Sequence, residues 1–363
     1  MDYNDFEGQN YTFEGGTYYS SPRWNDFTLD DERRARRRFS RFFLCTAIYI
    51  LISYAILICA EFAMVKMLGE DGFSDLVNTS WFPLVLNSVI MYALAFPILF
   101  FTVKGMKNTF RFKEKISFKE FLKLFLVAQA FMYVGNIIGT YLNLFIGAFV
   151  GETPENTVSS LVLDSNIWIV ILFAVLIGPI FEELIFRKLL MDKLGIHGDR
   201  VAIFVSAIAF GLFHGNLYQF FYAAMIGLVL AYLYSKTANI WYPIAIHMLV
   251  NFFGSVIPIL LSDKLVRYEE LLLLVSNGSE LTPELTAEFN ALSAVVGAYS
   301  FLTIGMVIAG VVIFFKQRRR IFISDRAEVP IPKERRVSVI LCNLGSISYI
   351  VLSGLLMFVS IFS

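Results

Sequence analysis

The run Gly178-Pro179-Ile180-Phe181-Glu182-Glu183-Leu184-Ile185-Phe186-Arg187 closes an apolar stretch that begins near residue 166. An ionised side chain at membrane depth costs roughly 2.5–3.5 kcal/mol on insertion scales, so two adjacent glutamates need a compensating arrangement. Arg187 follows Glu183 by four residues, which puts both on one helix face in the favourable acid-before-base order. Arg187 then holds Glu183 ionised. Glu182 lies about 100° round the helix and is left free to act as general base on a water. Structural ion pairs occupy such positions as well, and this motif alone is evenly balanced between chemistry and an interfacial Glu–Arg pair. Gly178-Pro179 predicts a kink that opens a cavity beside the glutamates.

Outward from that run, the chain is 57% hydrophobic, with 37 Phe and only 17% charged residues among 363. That excludes a soluble domain and predicts an all-α, polytopic transmembrane bundle. Apolar runs predict about nine spans: 42–65, 81–103, 118–149, 166–190, 201–215, 217–235, 239–262, 291–315 and 337–362. Residues 1–31, acidic and rich in Tyr, Gly, Asn and Ser, read as a mostly disordered tail, and the tail segment 1–39 ends in the basic cluster Arg33, Arg34, Arg36, Arg37 and Arg38. The basic stretches 33–41, 104–115 and 316–336 lie on one side of the predicted spans, and the acidic stretches 68–80, 151–165 and 263–290 on the other. The positive-inside rule then puts the N-terminus in the cytoplasm and, after nine spans, the C-terminus outside. No cleavable signal peptide is expected, because residues 1–39 lack an apolar core. Cys45, Cys59 and Cys342 form no CxxC pair. The basic clusters fit topology and anionic lipid, with no nucleic-acid partner expected.

Two of the three histidines also fall in apolar helices. His214 adjoins the small-residue stripe Ala207, Gly211, Gly215, which draws a neighbouring helix close. His247 and Asn251 are four apart and share a face. An imidazole and a carboxamide there can hold a water, a metal or a developing oxyanion; interhelical hydrogen bonding is the alternative for each. At 1.5 Å per residue, Glu182 and His247 lie about 12 Å inside their spans and His214 about 20 Å inside its own, a mismatch that a tilted fifth helix would reduce. Gln129, Asn136 and Asn143 recur every seven residues in the third span and read as packing contacts or the border of a substrate groove.

Glu182-Glu183-x-x-x-Arg187, Phe210-x-x-x-His214 and His247-x-x-x-Asn251, in that order and on separate predicted spans, resemble the three motifs of the CPBP family. That family takes in the CAAX-processing prenyl-protein proteases and the Abi group of bacteriocin-processing and immunity proteins. The resemblance covers roughly residues 165–255. It implies an intramembrane endopeptidase with its catalytic core over 151–262. The hydropathy and charge pattern sets that core between N-terminal helices over 40–150, an extracytoplasmic loop over 263–290 and C-terminal helices over 291–363. In that reading Glu182 activates water, while Glu183 and Arg187 support the site. His214 and His247 position the water or the substrate carbonyl, Asn251 stabilises the oxyanion and Phe210 lines the pocket. The family is described both as metal-dependent and as glutamate-based; a divalent metal such as zinc would fall to His214, His247 and Glu182. The substrate would be a membrane-associated protein or peptide in a bacterial plasma membrane: a CAAX-type protein, or a leader, bacteriocin or pheromone. Two other readings stay open. One is a non-catalytic peptide-binding immunity or scaffold protein; the other is an ion- or proton-coupled transporter using the same side chains.

Overall fold

The computed structural model describes residues 11–13, 16–18, 27–109, 114–151, 153–154, 156, 161–163, 165–318 and 327–362. Most of the tail expected over 1–31 lies outside the described residues, as do Glu152, Glu155, Asp164, Arg319 and Arg320. Within the tail, β1 (Tyr11–Phe13) and β2 (Gly16–Tyr18) pair antiparallel. The rest is helical, as the composition predicts.

Helix α1 runs Leu29–Val77, broken at Gly69, whose φ of +77° is left-handed. It starts ten residues before the expected end of the tail. The reason is local. Thr28 and Asp31 form a capping box, and Arg34 and Arg36 pair with Asp30, Asp31 and Glu32 one turn back. The basic cluster is therefore the first turns of a helix. After it come α2 (Phe82–Val103), α3 (Phe118–Val150), α4 (Ile167–His197), α5 (Asp199–Phe213), α6 (Leu217–Thr237), α7 (Trp241–Ser276), α8 (Pro283–Gln317), α9 (Lys333–Ile340) and α10 (Leu344–Val359).

Two expectations need correction. Seven of these helices are long and apolar enough to cross a membrane, or eight if the α9–α10 pair, bent by 65°, is one span. The expected span 201–215 is α5, of 15 residues; at about 22 Å it falls short of a hydrocarbon layer of about 30 Å. The loop expected over 263–290 is mostly helix, since α7 continues to Ser276 and α8 begins at Pro283 behind a Thr282 cap. Arg267 bridges to Glu270 and Glu288, and Tyr268 stacks on Phe289, so the two helical extensions hold each other.

The core lies where α3, α4, α5 and α6 meet. α5 and α6 are joined by a turn at Gly215 and Asn216; Asn216 caps α6 through the Tyr218 and Gln219 amides. Gly211 lets the backbone of Phe220 approach, and Gly135 of α3 lies against the backbone of Tyr222 on the opposite side of α6. The basic end is closed by polar contacts. Arg38 donates to the carbonyls of Lys193 and Lys107, and Lys193 Nζ reaches the Met106 carbonyl at 2.6 Å. Ser117 caps α3 by accepting from the Glu120 amide, as its sequence predicts.

Candidate active site

Three helices that supply polar side chains to this core share one irregularity. In α2, α4 and α7 a π-helical segment stands just before a proline: Val89–Ala95 before Pro97, Ile171–Ile177 before Pro179, and Phe252–Val256 before Pro258. In α4 the Gly178 amide bonds the Phe173 carbonyl, five residues back. The next bond in that register would run from residue 179 to the Ala174 carbonyl, but Pro179 has no N–H to give. Asn251 Nδ2 of α7 donates to that carbonyl at 2.9 Å. One of the two amide hydrogens of Asn251 thus satisfies a backbone group that the proline leaves bare, and it ties α7 to α4 about two turns before the glutamates.

Arg187 and Glu183 are wholly buried. Arg187 Nε faces Glu183 Oε2 at 2.9 Å, the pairing that their spacing predicts. Arg187 Nη1 donates to Ser206 Oγ at 2.6 Å, and that hydroxyl donates to the Phe186 carbonyl. Its guanidinium carbon also sits 5.2 Å from the centre of the Phe210 ring. Ser206 is a site residue that sequence reasoning missed. A buried arginine needs more acceptors than one carboxylate supplies, which is the signal that could have found it.

His247 joins both glutamates. Its Nδ1 lies 3.1 Å from Glu183 Oε1 and its Nε2 lies 3.7 Å from Glu182 Oε2. The Glu183 carboxylate accepts, so Nδ1 is the donor in that contact. The 3.7 Å gap is too long for a direct hydrogen bond and suits a shared water. Glu182 is the accessible member of the pair: its side chain is 15% exposed, against 0% for Glu183. Its other oxygen, Oε1, accepts from the Tyr92 hydroxyl at 3.1 Å. Tyr92 was also missed. A phenol in the middle of an apolar span requires a polar partner, and none lies nearby in sequence.

Phe210 connects the second histidine to the first. Its ring meets His247 edge-on at 5.6 Å and His214 edge-on at 4.9 Å. His214 follows the last residue of α5. Its Nδ1 donates to the Phe210 carbonyl at 2.9 Å, which leaves Nε2 for other chemistry. The structure thus brings Glu182, Glu183, Arg187 and His247 into direct contact. His214 is reached through Phe210, and Asn251 through the Ala174 carbonyl.

A divalent metal would fall to His214, His247 and Glu182. Among the described residues no group of three or more His, Cys, Asp or Glu side chains is arranged to hold one. His247 Nδ1 is taken by Glu183, His214 Nδ1 by the Phe210 carbonyl and Glu182 Oε1 by Tyr92, which leaves His247 Nε2, His214 Nε2 and Glu182 Oε2 for a water or other ligand.

Residues 164–253 match the family model described as Type II CAAX prenyl endopeptidase Rce1-like. The chain is 32% identical over 108 residues to YdiL, a candidate membrane peptidase of Bacillus subtilis (strain 168); the overlap covers 29% of this chain and 43% of that protein. It is 34% identical over 128 residues to the membrane-embedded CAAX protease MroQ of Staphylococcus aureus (strain USA300), covering 33% of this chain and 51% of that one. The chain therefore spans about half the length of these relatives. No solved structure matches it. The matched segment contains Glu182, Glu183, Arg187, Phe210, His214, His247 and Asn251; Tyr92 lies outside it.

Proposed function

We infer, from a chain whose residues 164–253 are those of a CPBP-family protease, that this multi-pass membrane protein is an intramembrane endopeptidase with Glu182 as its general base. The observation that carries the reading is the pair Glu182 Oε2 and His247 Nε2, 3.7 Å apart, with Tyr92 fixing the other carboxylate oxygen. A water between them donates one hydrogen to each acceptor and presents its oxygen lone pair to a substrate carbonyl. Glu182 takes the proton as the water attacks and returns it to the departing amine. Glu183 keeps His247 in the tautomer that accepts, and Arg187 and Ser206 keep Glu183 charged and still. The tetrahedral oxyanion is met by the second amide hydrogen of Asn251, and His214 positions the substrate carbonyl. No step is routed through a metal.

The substrate in this reading is a membrane-associated protein or peptide. The CAAX-type cleavage in the printed name of the Staphylococcus relative comes to this chain as a proposal, beside processing of a leader, bacteriocin or pheromone. The reading also places the chain in a bacterial plasma membrane, with the basic end cytoplasmic. α10 runs alongside α1 in the same direction, Gly345 against Ser40 and Tyr349 against Phe43; this supports a C-terminus on the side opposite the basic cluster.

The test is cleavage in proteoliposomes of a farnesylated CaaX peptide and of membrane proteins from the source organism, read by mass spectrometry. The full chain should yield a product that Glu182→Gln does not. The product should persist with a chelator present. Equal products from both chains would overturn the role of Glu182, and loss with chelator would return the metal-dependent reading.

A further inference from the structure

On α1, Arg37, Arg41, Leu44, Cys45 and Ile48 recur at helical spacing and form one stripe, basic at its start and apolar beyond. With Arg36, Ser40 and Asn343 they line an open groove of about 420 Å³, set beside the break between α9 and α10. Arg36 is committed: it bonds Glu32, the Cys342 carbonyl and Ser338 Oγ. Glu32 is shared between Arg36 and Arg335, and Asp30 and Asp31 are engaged by Arg34. Arg41 makes one contact, to the Thr102 carbonyl at 3.0 Å. Among the described residues no carboxylate pairs with Arg37 or Arg41, so the mouth of the groove keeps its positive charge. The start of α10, capped by Asn343, adds the positive end of a helix dipole to the same place.

α9 is turned 65° from α10, and Val337, Leu341 and Leu344 around the bend are exposed apolar residues, as in a segment lying along an interface. From Arg37 to Ile48 the stripe covers about 16 Å, the reach of a phosphate and the first half of an acyl chain.

We propose that this groove binds an anionic phospholipid, its phosphate between Arg37 and Arg41 and one acyl chain along Leu44, Cys45 and Ile48. Charge complementarity selects the anion and the apolar floor selects the chain. A free phosphate would leave that floor uncovered. The site is independent of the peptidase chemistry.

The experiment is native mass spectrometry of the full chain in mild detergent, offered equal amounts of phosphatidylglycerol and phosphatidylcholine with the same chains. Phosphatidylglycerol should be retained at least tenfold better, and glycerophosphoglycerol, which lacks the chains, should not displace it. Arg37→Gln with Arg41→Gln should weaken retention about thirtyfold, given the attraction of two surface arginines for anionic lipid. Ile48→Trp, at an exposed position, should weaken retention with every charge kept. Arg33→Gln with Arg34→Gln, the same number of charges removed outside the groove, should retain the lipid. Equal retention of the two lipids, displacement by the soluble headgroup, full retention by Ile48→Trp, or equal loss in both arginine pairs would each overturn the groove as a lipid site.

Discussion

Helices α4 and α8 read alike to a hydropathy scan: each is long and holds a strongly apolar stretch able to cross a membrane. Their structures are unlike. α8 is one unbroken helix of 35 residues in which only Gly310 is buried, where it meets α3. α4 passes twice through π-helical turns, holds Pro179 between them, and buries Glu183 and Arg187 completely. Apolarity says that both cross a membrane. What separates a lipid-facing helix from a site-bearing one is the proline and the charges, because each creates a backbone or side-chain group that only another helix can satisfy. Tyr92, Ser206, His247 and Asn251 supply those partners from α2, α5 and α7.

The largest expected effect lies in α4. Glu182→Gln keeps an acceptor for Tyr92 but cannot take a proton, so single-turnover cleavage should fall about 10²–10⁴-fold with little change in thermal unfolding. A similar loss in the melting temperature would mean that Glu182 is structural. Arg187→Met addresses stability instead. It leaves Glu183 buried and unpaired and should cost about 3–5 kcal/mol, measured by unfolding in detergent. Adding Glu183→Gln should recover part of that loss; no recovery would mean that Arg187 acts through packing on Phe210 alone. Asn251→Ala uncovers the Ala174 carbonyl and should cost about 1–3 kcal/mol. In a Pro179→Ala background residue 179 regains an N–H, and the cost of Asn251→Ala should shrink. Equal costs in both backgrounds would detach Asn251 from the π-turn.

The helical class and the pairing of Glu183 with Arg187 were legible because period and spacing on one helix are local properties. Three things were missed. The helical start of α1 was hidden by its charges, which a disorder reading counts as polar; the i,i+4 pairs that support the helix use those same charges. That α5 is no span was missed although its length was read correctly, since the 15 residues expected over 201–215 are too few to cross the hydrocarbon layer. Tyr92 and Ser206 were hidden because their roles come from helices 90 and 19 residues away in sequence. Each had a readable trace, namely a phenol or hydroxyl in an apolar run with no local partner beyond its own backbone. The prolines at 97, 179 and 258 were the most informative signs, since each follows a widened turn; Pro179 was read only as a kink and the other two were not read. Tyr92→Phe tests how far this reaches. Removing one hydrogen bond to a charged carboxylate should slow cleavage about tenfold with substrate affinity kept. An unchanged rate would leave Tyr92 as packing for Phe181, on which its ring stacks.

The smallest expected effect is the control on which the comparison rests. Ile304 of α8 is 57% exposed. In a membrane its neighbour is acyl chain in the folded and the unfolded protein alike, so Ile304→Ala forfeits little and should change stability by no more than about 0.5 kcal/mol. The same truncation at Ile185 of α4, whose side chain has no exposure, opens a cavity among packed rings and should cost about 2–5 kcal/mol. Both side chains are equally apolar, so a hydropathy argument assigns them the same loss. Matching losses in a detergent unfolding series would mean that α8 is covered by something other than lipid. A second copy of this chain would then be the first partner to look for, and the oligomeric state the next quantity to measure.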